Sequence, residues 1–207
     1  MAGAVAMTPR AGEPEAPSDL ELVRLAQAGD TQAFGTLVER NRRAVFRAAL
    51  AAVGSPAEAD DVAQDAFLAA YRKLSHFRGD AAFRTWVVSI AWRKALDRRK
   101  SVARWVKMTV TPQRFDDQAG DGMDELRSGW RSPEEHLASA ELERTIRRLI
   151  ATLPRKLRDA LLLSGSDEYS YEQIAVILGI PVGTVKWRVS EARRLLKQKL
   201  ASTGHTR

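Results

Sequence analysis

Three residues near the C-terminus, Ser170, Gly179 and Pro181, constrain this chain more than any other feature. Ser170-Tyr171-Glu172-Gln173 has the pattern of a capping box, with serine at the N-cap and glutamine at the third helical position, so a helix is expected to start there. Ile174, Ala175, Ile177 and Leu178 supply its apolar face. Gly179 suits the left-handed conformation that ends a helix. Pro181 cannot extend that helix but fits the start of the next. The second helix is expected from about Gly183 or Thr184 to Leu200, with Val185, Val189, Ala192 and Leu196 as its inward stripe. Gly179-Ile180-Pro181-Val182 is a tight connection, and the whole reads as a helix-turn-helix.

Such a unit points to double-stranded DNA. A helix fits the major groove, where base edges show distinct donor and acceptor patterns, and the N-terminal part of the second helix approaches them. Here that part carries Thr184, Lys186, Trp187, Ser190 and Glu191, with Arg194 one turn on. Arg188, Arg193, Lys197 and Lys199 add positive charge. The plainer alternative is a packed helical hairpin with a solvated charged face. Capping box, Gly-x-Pro turn and basic second helix together favour DNA. Composition agrees: the 207-residue chain has a net charge of +7 and a pI near 10.0, which favours nucleic acid first and an anionic membrane surface second. The absence of cysteine excludes disulfides, thiolate metal sites and cysteine nucleophiles, and fits the cytosol. No apolar run approaches the ~20 residues of a membrane span, so no direct membrane insertion is expected. Residues 1–18 lack a signal peptide's basic start and apolar core and read as a disordered tail.

The remainder is expected to be all-α, as two small helical domains joined by a flexible linker. In the first, at 19–100, Asp19 caps a short helix with Leu22, Val23 and Leu25, which Gly29 ends. Asp30 caps a second helix carrying Phe34, Leu37, Val38, Val45, Phe46 and Ala49, broken at Gly54-Ser55-Pro56. A third runs from about Ala57 to Leu74 with Ala63, Phe67, Ala70 and Leu74 as one stripe, and a fourth from about Phe83 to Lys100. Residues 101–133, rich in Asp, Glu and Gly, read as a linker on which Trp105, Val106 or Trp130 could dock. The second domain spans 134–203, with a helix to about Thr152 and another from Leu153-Pro154 carrying Leu157, Leu161 and Leu162; residues 204–207 are a tail.

Three features of the first domain carry alternatives. Asp61, Gln64, Asp65, Leu68 and Arg72 lie off the apolar stripe of the third helix. They form either a solvated acidic face or a docking surface for a basic protein; metal ligation is a third reading, but no histidine joins the carboxylates. Phe77, Phe83, Trp86 and Trp92 alternate with Arg78, Arg84, Arg93 and Lys94. These are core residues or a single-strand platform, on which bases stack for roughly 1–3 kcal/mol each while cations follow phosphates. Arg98-Arg99-Lys100, with Arg104 and Lys107, is a solvated helix end or a phosphate contact.

With these segments in place the chain resembles the sigma-70-type transcription initiation factors, in the short extracytoplasmic-function group. The resemblance rests on Leu22-Val23-Arg24 through Gly29-Asp30-Thr31-Gln32-Ala33-Phe34, on Ala59 through Phe67, on Phe83-Arg84-Thr85-Trp86-Val87, on Ile90 through Asp97, and on Ser170 through Leu196, above all Ile180-Pro181-Val182-Gly183-Thr184-Val185-Lys186. It implies a non-enzymatic specificity factor without cofactor or metal, whose partners are core RNA polymerase, promoter DNA and an anti-sigma factor. Asp60, Asp61, Gln64, Asp65, Leu68 and Arg72 would bind the β′ clamp helices, with the β flap as a further polymerase contact. His76, Phe77, Arg78, Phe83, Arg84, Trp86, Trp92, Arg93, Lys94, Asp97 and Arg98 would bind and open the −10 element. Ser170, Thr184, Lys186, Trp187, Arg188, Ser190, Glu191 and Arg194 would read the −35 element, and the acidic linker would thread through the polymerase. The chain departs from the family at Arg93, usually asparagine, and at Trp187 and Glu191, where relatives often carry serine and arginine. An acid cannot bind phosphate but accepts from cytosine N4. Two rival readings remain. One is a helix-turn-helix regulator with a sensor or dimerisation domain, though no heptad seam is present. The other is a nuclease using Asp60, Asp61 and Asp65 with a metal.

Overall fold

The computed structural model describes residues 16–109, 144–165 and 168–202, and every regular element among them is helical. Helix α1 (Asp19–Gln27) is capped one residue earlier than expected: Ser18, not Asp19, is the N-cap. Ser18 Oγ accepts from Glu21 N at 3.3 Å and Ser18 N donates to Glu21 Oε2 at 2.7 Å, a capping box that outcompetes the lone aspartate. Asp19 instead pairs with Arg40 at 3.0 Å, and Arg40 also donates to Pro17 O, so residues 17 and 18 belong to the folded unit and not to a tail.

Asp30 caps α2 (Thr31–Val53) as expected, accepting from Gln32 N and Ala33 N at 2.8 and 3.1 Å. Gly54, at φ 82°, closes α2 in the left-handed conformation that a side chain would strain. Ser55 and Pro56 then open α3 (Pro56–Lys73), followed by a 3-10 turn at Leu74–His76. Helix α4 (Phe83–Thr109) is longer than its periodicity indicates and carries the backbone of residues 101–109 out of the expected linker. Trp130 and the side chains of Trp105 and Val106 lie outside the described residues, as does the start of the helix expected from Pro133.

In the second domain, helical residues 144–151 (α5) precede α6 (Arg155–Ser164), α7 (Tyr171–Leu178) and α8 (Val182–Ser202). The capping box at Ser170 forms as expected, with Gln173 N donating to Ser170 Oγ at 3.2 Å, and Gly179 ends α7 at φ 66°. Helix α8 begins at Val182, directly after the proline, slightly earlier than expected.

Two separate domains imply two separate cores, but the domains share one. Val87, Val88, Ala91, Trp92 and Ala95 of α4 belong to the same buried cluster as Leu37 and Val45 of α2, Ala66 of α3, Ile174 and Ile177 of α7, and Val185 and Val189 of α8. A smaller cluster of Leu153, Leu157 and Ala192 joins α6 to α8. Polar contacts fasten the domain boundary. Tyr169 Oη donates to Ala44 O at 3.3 Å, and Glu168 reaches Arg47 at 2.6 Å and Arg84 at 3.6 Å. Arg99 Nη1 donates to Ala52 O at 3.1 Å and stands 3.5 Å from Asp159 Oδ1.

Burial pushes the Asp159 carboxyl above the usual carboxylate range, outweighing Arg99, Arg158 and Arg155, which pull it down. The domain contact therefore prefers neutral Asp159. Lowering the pH from above the raised value towards the ordinary one tightens it, and raising the pH loosens it. Asp159→Asn is expected to keep the domains together and flatten this pH dependence. Arg99→Ala strands a buried carboxylate and loosens the contact by about 1–3 kcal/mol. Distances between labels on cysteines introduced into this cysteine-free chain measure both; separation of the domains by Asp159→Asn would contradict the account.

Candidate nucleic-acid interface

The exposed arc of α3 has two flanks with different partners. Asp60, Gln64 and Leu68 turn towards α2 and line a groove of about 970 Å³ with Phe34, Phe46, Phe67 and Tyr71. Leu68 is 49% exposed and Tyr71 48%, so this groove is open and largely apolar, with Arg42, Arg43 and Glu39 at its edge. Phe34 meets the Tyr71 ring edge-on at 4.9 Å, which stiffens one end. Asp61 and Asp65 continue the same arc on the flank nearer α4: Asp61 pairs with Arg98 at 3.3 Å and Asp65 with Lys94 at 3.8 Å. Arg72 is exposed but does not line the groove. Each of the two carboxylates thus serves a cation of α4.

The aromatic residues fall into two kinds. Phe77, Phe83 and Trp86 form a three-ring cluster, with centroids 4.9 Å apart for Phe77–Trp86, 5.8 Å for Phe83–Trp86 and 5.9 Å for Phe77–Phe83. Phe77 and Trp86 are half-buried against the core, and Phe83 is buried. Trp92 is 1% exposed. Its place in the expected single-strand platform is corrected to the core, because the register of α4 turns position 92 inward with Val88 and Ala95. His76, Arg78, Arg84 and Arg93 are exposed, and Asp97 pairs with Lys100 at 2.8 Å. On α4, Arg93 falls on the same side as Trp86, Lys94 and Arg98 turn towards α3, and Arg84 turns towards the second domain.

Two positions that the sequence motifs do not single out hold this surface. Gln27 donates from Nε2 to Leu74 O at 2.8 Å and Phe77 O at 3.1 Å, pinning the turn that carries His76 and Phe77. The pattern of α1 offers no signal for this, since the acceptors lie far along the chain. Tyr169, next to the capping box, lies under the Arg84 guanidinium at 5.7 Å. Burial raises its hydroxyl above the usual tyrosine range, helped by Glu168. Arg84 is therefore held by the second domain as well as presented by the first.

Of the expected inward stripe on α8, Val185, Val189 and Ala192 are buried and Leu196 is half-buried. Lys186, Ser190 and Arg194 fall on other faces, Thr184 is half-buried, and Trp187 is 61% exposed. Glu191 is engaged by Arg194, whose Nη2 and Nε donate to its two oxygens at 2.6 and 2.7 Å. These bonds hold the Glu191 carboxyl below the usual carboxylate range. Ser170 spends its oxygen on the α7 cap.

Comparison with known proteins matches both halves. The Sigma-70 region 2 family matches residues 37–106, and the Sigma-70 region 4 family matches residues 143–196. The chain is 37% identical to the RNA polymerase sigma-H factor of Pseudomonas aeruginosa, over 88% of this chain and 93% of that protein. It is 36% identical to the ECF RNA polymerase sigma-E factor of Escherichia coli K12, over 88% of this chain and 94% of that protein. Among solved structures, CnrH in complex with the cytosolic domain of CnrY superposes with a TM-score of 0.62 at 27% identity, over 89% of this chain and 97% of that one. A sensor or dimerisation domain is not what precedes the helix-turn-helix here, because that segment is region 2. The chain belongs to the sigma-70 family of RNA polymerase sigma factors, in its extracytoplasmic-function group.

Proposed function

We propose that this chain joins core RNA polymerase, directs it to promoters through two DNA grips, and stabilises the opened −10 strand. The reading rests on the pairing of two features: region 2 holds the half-buried Phe77–Trp86 ring pair in the same segment as the exposed cations Arg78, Arg84 and Arg93, and in region 4 a basic recognition helix keeps its outward face free of core contacts. The rings offer stacking surfaces to unpaired bases and the cations follow the phosphate backbone. Unstacking a base costs a few kcal/mol, which several such contacts offset without nucleotide hydrolysis.

The α3 surface is the proposed seat of the polymerase β′ clamp helices, with Asp60, Asp61, Gln64, Asp65 and Leu68 in contact and Arg72 at the margin. The β flap would meet the second domain. The closed arrangement of the two domains fits a resting state. Elements named −10 and −35 lie about 25 base pairs apart, on the order of 85 Å along B-form DNA, and two domains sharing one core cannot reach both. Opening on polymerase would release Arg84 from Glu168 and Tyr169. A regulatory protein that holds the closed form is part of this proposal, supported by the solved relative bound to the cytosolic domain of another protein. Among the described residues no helix is long and apolar enough to cross a membrane.

Asp61→Asn with Asp65→Asn is expected to weaken binding to core polymerase about tenfold, as loss of interfacial charge pairs does, while adding no repulsion against Arg98 and Lys94. Unchanged affinity in a titration against labelled core enzyme would remove the docking assignment. Trp86→Ala is expected to remove ~1–3 kcal/mol from strand opening and much less from duplex binding, with Trp86→Phe retaining most of it. Permanganate reactivity of the −10 segment, set beside duplex binding by the same holoenzyme, separates the two; equal losses would count against a melting role.

A further inference from the structure

Among the described residues the most exposed large apolar side chain is Trp187, and it sits at the centre of the outward face of α8. Val185 and Val189, two residues to either side of it, are fully buried; at 3.6 residues per turn this places the indole roughly opposite the core stripe. Packing against the second domain therefore does not account for it. Its neighbours on that face are polar and partly satisfied among themselves. Glu191 and Arg194, one and two turns on, close on each other through two hydrogen bonds. Lys186, Arg188 and Ser190 flank it in sequence, and none of them is buried. A large apolar surface is thus presented to solvent between two cations, Lys186 and Arg188, at the N-terminal half of a recognition helix.

The cations state the class of occupant, a polyanion, and the helix-turn-helix states its form, a duplex groove. The major groove offers one apolar feature, the C5-methyl of thymine; its other groups are hydrogen-bond donors and acceptors. We infer that Trp187 is a specificity-determining residue of the −35 contact and that it recognises a thymine methyl. The inference rests on the proposed −35 role of α8 and deepens it. Glu191 acts beside it as a positioning residue: its carboxylate is turned to Arg194, so it holds that guanidinium at the groove and is not free to accept from a cytosine. The −35 element of this factor should then contain a thymine at a fixed place, chosen through its methyl group.

Deoxyuridine isolates the claim, because it keeps the O4 acceptor of thymine and lacks only the methyl. The probe is a promoter duplex with a pre-opened −10 segment and about ten randomised −35 base pairs, one helical turn, synthesised once with thymidine and once with deoxyuridine. Holoenzyme carrying the full chain selects from both. The expected result is a motif with an invariant thymine from the thymidine library and loss of that preference from the deoxyuridine library. A chosen duplex should bind about fourfold more weakly when that single methyl is removed, the worth of one buried carbon. Trp187→Ala should bind the thymine and uracil forms alike, and Trp187→Phe should still distinguish them. A motif that is the same in both libraries, or one whose methyl dependence survives Trp187→Ala, overturns the inference and leaves the −35 role standing. Selection of no motif at all by the unaltered holoenzyme overturns both.

Discussion

Burial of α4 from more than one side is the interaction on which the rest of the molecule depends. Val87 and Val88 are adjacent in sequence, and so are Ala91 and Trp92, yet all four are buried. Neighbouring positions point about 100° apart on a helix, so no single packing partner covers them. Helices α2 and α3 take one side and α7 takes another, and the core runs through α4 from the first domain into the second. What remains of its circumference carries Arg93 and Asp97, with Trp86 half-buried on the same side and Lys94 and Arg98 at the margin towards α3. Arg84, nine residues before Arg93, points to the opposite side, where Glu168 and Tyr169 of the second domain hold it.

That remainder abuts the acidic helix. Arg98 and Lys94 meet Asp61 and Asp65, whose side chains are both 63% exposed. Pairs this exposed add little stability and weaken further with salt. Their effect is positional: they keep cations of the proposed DNA surface in register with carboxylates of the proposed polymerase surface. A basic partner drawing on Asp61 and Asp65 would compete for them and leave Arg98 and Lys94 to phosphate. The adjoining flank of α3 differs in kind, since the groove between α2 and α3 is largely apolar and asks for shape rather than charge.

The parts of this fold that follow from local rules are legible in the amino-acid sequence. The caps at Asp30 and Ser170, the break at Gly54 and the stripe on α8 are of this kind, because capping and periodicity involve residues three or four apart. Ser18 escapes for a related reason: two candidate caps stand side by side, and only the position of Glu21 decides between them. The merged core is harder. A run with Trp86, Val87, Val88, Ile90, Ala91 and Trp92 has more than one apolar face, a pattern that signals a helix enclosed on several sides, but nothing in it names the helix that encloses it. Trp92 and Trp86 look alike in sequence, and register alone separates core from surface. Gln27, Glu168 and Asp159 act across long stretches of chain and have no local signature.

The manner in which the domains are held bears on how they could part. The polar contacts are not strong fasteners. Burial disfavours the charged form of Asp159 more than its neighbouring arginines favour it, and Arg84 and Arg47 divide one carboxylate between them. Closure therefore rests mainly on apolar area between α4 and α7. Such area is non-directional and exchangeable: whatever else covers Val88 or Ile177 recovers most of its value. A closed state of this kind does not need to be broken by force. It yields to any surface that covers the same side chains while offering the cations a better acid.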